Sequence, residues 1–110
     1  MPSNPEVRTA VDQAFTRLQA FLDPLSAVDL DLDLNRSAIQ AHFAEPARRA
    51  RHLEAAQRHL PGYTAIVRDV VQTAAALAAP RSPVSNALLI DWITAAPDVI
   101  LARLPGAPPA

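Results

Sequence analysis

No cysteine occurs among the 110 residues, which removes disulfide frameworks, thiolate metal sites and cysteine nucleophiles together. Lysine is missing too, so all ten basic side chains are arginine, a usage that reflects a GC-rich coding sequence before it reflects chemistry. Glycine occurs only at Gly62 and Gly106, too rarely to write a phosphate-cradling loop or a dinucleotide fingerprint, which need several positions without a Cβ. Aromatic residues make up 5% of the chain, leaving little to stack on nucleic-acid bases. Long apolar runs are also lacking. Even the stretch 73–79 falls far short of the roughly 18 to 20 residues a bilayer span requires, and it follows Arg68 and Asp69. The start, Met1-Pro2-Ser3-Asn4-Pro5-Glu6, has neither the basic start nor the apolar centre of a secretory signal. A cytoplasmic location without membrane contact is the expectation.

What the chain has in quantity is alanine and proline. Half of its residues are hydrophobic, but alanine adds little burial, so a core must come from Val, Leu, Ile, Phe and Trp92. That supply suits one domain, expected over 4–104, followed by a disordered Pro-rich tail at 105–110. The net charge of −1 conceals a division along the chain. Residues 1–34 carry Glu6, Asp12, Asp23, Asp29, Asp31 and Asp33 against Arg8 and Arg17, whereas 35–68 carry six arginines against Glu45 and Glu54.

Ser3, Pro5 and Glu6 together write a helix start, with a capping hydroxyl, a proline in the first turn and an acid three residues on. Val7, Val11, Ala14, Leu18, Phe21 and Leu25 then recur at steps of three and four and define one apolar stripe. Segment 28–34 alternates apolar and acidic residues, which predicts an extended connector with one wet face. Glu45-Pro46 reads as a restart, giving a helix over 46–60 that Pro61-Gly62 terminates. The segment 63–79 predicts the most apolar helix, and Ala96-Pro97-Asp98 is expected to divide the remaining stretch into helices at 84–95 and 99–104. The fold class is therefore all-α: an irregular bundle of five to seven short helices with one extended connector at about 28–34.

Candidate sites are few. Asp29, Asp31, Asp33 and Asn35 begin like a calcium loop, but Leu34 stands where the turn needs glycine and Gln40 where the closing glutamate belongs. His42 with Glu45, and His52 with His59, have helical spacings that suit metal ligation, yet the carboxylates a helical metal site needs are not supplied. The three histidines read as surface or boundary residues, and no metal or cofactor is expected. A Ser or Thr nucleophile would need an oriented base and a presenting elbow, which the chain does not write, so an enzyme is not expected.

The most distinctive pattern is the set Arg48, Arg49, Arg51 and Arg58, which predicts a basic face on helix 46–60, with Ala50, Leu53 and Leu60 turned to the core. It could meet the acidic segment Asp29, Asp31 and Asp33 within the same chain, or in another copy to give salt-sensitive head-to-tail assembly. Trp92 is the candidate apolar anchor for an interface. The function expected is a non-enzymatic protein-protein interaction module: an adaptor, regulatory partner or assembly subunit. A nucleic-acid-binding subunit using helix 46–60 stands second, and a small helical enzyme or metal protein third.

Overall fold

The Ser3 hydroxyl accepts a hydrogen bond from the Glu6 backbone N–H at 3.3 Å, satisfying one of the orphan donors of the first turn and starting α1, Asn4–Ala20. The computed structural model describes residues 3–25 and 32–105, with side chains described outside 32–36. Among the described residues there are four further helices: α2 Leu32–Phe43, α3 Pro46–Arg58, α4 Leu60–Ala78 and α5 Pro83–Arg103. No strand occurs among them, and the fold is all-α.

The stripe on α1 is buried as its spacing requires, with Val7, Val11, Ala14, Phe15 and Leu18 all turned inward. Hydrogen bonds from each residue to the third one back, such as Leu22 N–H to the Gln19 carbonyl at 3.0 Å and Leu25 N–H to the Leu22 carbonyl at 3.1 Å, tighten the chain past Ala20. This tighter winding keeps Leu22 and Leu25 in the core. The expected connector at 28–34 fares differently. Residues 32–34 form the first turn of α2, and 28–31 lie outside the described residues. A period-two pattern with only three apolar-acidic repeats is outweighed here by the burial of Ile39 and Phe43 further along the helix.

Glu45-Pro46 is a restart. The Glu45 backbone is extended and Pro46 occupies the first turn of α3, where its missing N–H costs nothing. Pro61-Gly62, in contrast, opens a helix instead of closing one. His59 alone, at φ −140° and ψ 60°, separates α3 from α4, and Pro61 lies in the first turn of α4. A Cβ added at Gly62 would meet His59 Cβ at 3.8 Å and Leu104 Cδ2 at 3.9 Å, both ordinary contacts. Gly62→Ala should therefore raise stability by about 0.4–1 kcal/mol through reduced freedom of the unfolded chain, a gain that urea titration would resolve.

α5 begins with a reciprocal cap. The Ser82 hydroxyl accepts from the Ser85 N–H at 3.1 Å, and the Ser85 hydroxyl oxygen accepts from the Ser82 N–H at 2.9 Å. The turn before it places Arg81 at φ 48°, a left-handed conformation that costs a non-glycine residue roughly 1–2 kcal/mol. The break expected at 96–98 does not occur, and α5 runs unbroken through Pro97. Ile93, Ala96, Pro97 and Ile100 are all buried, so ending the helix at Ala96 would redirect Ile100 away from the core. Burial of that face outweighs the local cost of about 3 kcal/mol for proline within a helix. α4 and α5 make the most extensive helix pair, while α1 packs across α3 and α4.

Candidate functional site

α3 contains one large aliphatic residue, Leu53, so its inward stripe must be filled by other residue types. Arg48, His52 and Ala56, at successive steps of four, occupy it. Arg48 is only 8% exposed. Its Nη1 donates to the His42 carbonyl at 2.6 Å and to Glu45 Oε2 at 2.7 Å, and its Nε lies 3.8 Å from Asp98 Oδ1. The guanidinium thus satisfies a carbonyl in the last turn of α2, where a cation is also favoured by the dipole, and ties α2 and α3 toward α5.

The other arginines of the expected basic face are also engaged, with one exception. Arg49 pairs with Asp12 on α1, and its guanidinium lies 5.3 Å above the centre of the Phe15 ring, a cation–π geometry. Arg58 pairs with Glu54 one turn back. Arg51 is exposed and has no ion pair among the described residues. Hence the four arginines do not form one open patch. Ala50, expected to face the core, is exposed, while Leu53 and Leu60 are half-buried. The carboxylates that meet these arginines are Asp12, Glu45, Glu54 and Asp98. Asp29 and Asp31 lie outside the described residues, and Asp33 sits in the first turn of α2 without a described side chain.

His52 corrects the reading of the histidines as surface groups. It is fully buried, bracketed by Phe15 and Tyr63, whose rings lie edge-on at 5.0 and 5.7 Å. Its Nε2 is 3.0 Å from the Pro97 carbonyl oxygen and its Nδ1 is 2.9 Å from the Tyr63 hydroxyl. Because a carbonyl can only accept, Nε2 carries the hydrogen, and Nδ1 accepts from the Tyr63 O–H. Burial lowers the His52 pKa from 6.5 to about 4, with Asp98 and the Pro97 hydrogen bond opposing and Arg48 and Arg51 adding to the effect. Burial likewise pushes the Tyr63 hydroxyl well above its ordinary value. The pair is neutral, hydrogen-bonded and fully buried, and it joins α3, α4 and α5. The signal in the sequence is the shortage of large apolar residues in 46–58, which obliges a polar group to face inward. His42 is half-buried and His59 exposed; among the described residues no three potential metal ligands cluster.

Trp92 is half-buried rather than displayed, and its indole Nε1–H donates to the Val70 carbonyl at 2.9 Å. That bond fastens α5 to α4. The open part of α5 lies elsewhere. Val84 is 72% exposed and Leu88 50%, and Ala87, Asp91 and Ala95 continue the same exposed side. α5 is long and apolar enough to cross a membrane by length and composition, and 33% of its most apolar stretch is buried in the bundle, so core packing accounts for only one of its faces. Comparison with protein-family models, curated proteins and solved structures finds no match to this chain.

Proposed function

We propose that this chain is a helical protein-binding module, acting as an adaptor, regulatory partner or assembly subunit, and that its working surface is the outer face of α5. The observation that carries this reading is the exposure of Val84 and Leu88 on a helix whose other side already supplies Leu89, Ile93 and Ile100 to the core. Large apolar side chains displayed in line on a well-capped helix are what a partner's apolar stripe covers. Val84, Leu88, Asp91 and Ala95 succeed one another at steps of four, three and four, so the partner surface is an apolar ridge with a cation opposite Asp91. The carboxylates of Asp91 and Asp98 on the same helix, both exposed, favour a protein over hydrocarbon, where each would cost a few kcal/mol.

The test is the double variant Val84→Asp, Leu88→Asp. Val84 is mostly and Leu88 half exposed, so stability should fall by no more than about 1–2 kcal/mol, while recovery of partner from the native host should fall at least about tenfold. Self-association, if the partner is a second copy, should fall equally in sedimentation equilibrium. Undiminished recovery and unchanged self-association in the variant would refute the assignment.

A further inference from the structure

α1 and α4 leave a cleft of about 230 Å³ between them, and its lining is chemically one-sided. Ala14 and Val67, both buried, form its floor. Its polar side chains are Gln13 and Arg17 from α1 and Tyr63, Thr64 and Arg68 from α4, with the Tyr63 hydroxyl already committed to His52. Gln13 and Arg17, like Thr64 and Arg68, are four apart and therefore share a face. Among the described residues no carboxylate lines the cleft. Arg48, Arg49 and Arg58 all have acidic partners within the chain; Arg17 and Arg68, like Arg8, Arg51, Arg81 and Arg103, have none among the described residues, and of these six only Arg17 and Arg68 line the cleft. Arg17 lies in the last turn of α1, where the helix dipole would favour it in any case. Arg68 sits in the middle of α4 and has no such role.

We infer that this cleft binds a small dianion bearing either a phosphate group or two carboxylates, held between the guanidinium forks of Arg17 and Arg68. Planar, permanently charged forks match both oxygen arrangements, and Gln13 adds an amide donor. The Thr64 hydroxyl donates to the Pro61 carbonyl at 3.0 Å, which leaves its lone pairs to accept from a hydroxyl on the ligand. The volume lies below the roughly 300–1,000 Å³ of clefts that take drug-sized molecules, which limits the ligand to a few heavy atoms around its charged groups. This site is separate from the α5 face and does not depend on it.

The experiment is a backbone-amide NMR titration of the whole chain at low salt, once with inorganic phosphate and once with succinate. At least one probe should give saturable shifts at 10–17 and 63–68, with a Kd on the order of millimolar or tighter. Arg17→Gln and Arg68→Gln should each weaken it about tenfold or more, as expected for loss of a charge-assisted pair. Arg103→Gln, on α5 and outside the cleft, should bind as the parent does. All three positions are exposed, and matching circular dichroism spectra would confirm folding. Saturation by phosphate alone or by succinate alone names the class of ligand. Shifts that do not saturate with either probe, or Arg17→Gln and Arg68→Gln variants that bind as tightly as the parent, would overturn the inference.

Discussion

Between pH 7 and pH 4 the folded protein should lose about 3 kcal/mol of stability through His52 alone. The sign is set by where the proton binds. In the unfolded chain the imidazole titrates at its ordinary value of 6.5, and in the folded state burial lowers this to about 4. Within that window the unfolded state binds more protons, so stability is full above pH 6.5 and falls as the pH drops toward 4. Protonation would also place a charge between the Phe15 and Tyr63 rings and near Arg48 and Arg51. Urea unfolding across this range, compared with His52→Gln, isolates the effect. The variant retains a donor and an acceptor but cannot charge, so its curve should be flatter by about the same 3 kcal/mol. Parallel curves would show that His52 is not dry.

Phe15→Ala should cost about 3–5 kcal/mol, the usual range for emptying a core aromatic site. The ring is 2% exposed and packs against Phe43 at 5.4 Å and His52 at 5.0 Å, with the Arg49 guanidinium over its face. Domains of this size have about 5–15 kcal/mol of stability in total, so the variant would sit near the limit of folding at 37 °C. A second readout separates packing from simple loss of area. With Phe15 gone, water reaches the imidazole, and the His52 pKa should rise from about 4 toward 6.5. Histidine NMR titration of the variant would detect this; a His52 that still titrates near 4 would mean that other groups keep it dry.

Much of this fold is legible in the sequence because local signals agree with burial. The cap at Ser3, the stripe from Val7 to Leu18 and the restart at Pro46 each describe one helix end or one helix face, and tertiary packing leaves them as written. Pro61 and Pro97 mislead for different reasons. Pro61 marks a helix boundary without saying on which side of it the helix lies, whereas at Pro97 there is no boundary at all, because whether Ile100 reaches the core is decided only when α5 meets α4. Segment 32–34 shows the same limit, since its alternation is too short to resist the helix beyond it. For the surfaces, an arginine count on α3 cannot reveal that Arg48 turns inward, or that Asp12, 37 residues earlier in the chain, takes Arg49. His52 resembles a surface group because its neighbours are arginines. The exposed side of α5 is hidden by the opposite problem, since an apolar residue in a sequence carries no mark of whether it faces inward or outward.

The claim on which the function rests is that partners meet the outer face of α5, and amide hydrogen exchange tests it most directly. With partner recovered from the native host, exchange in the complex and in the free chain should differ chiefly over 83–95, where bound protein is protected. Protection centred on 46–58, or no change at 83–95 on saturation with partner, would contradict it.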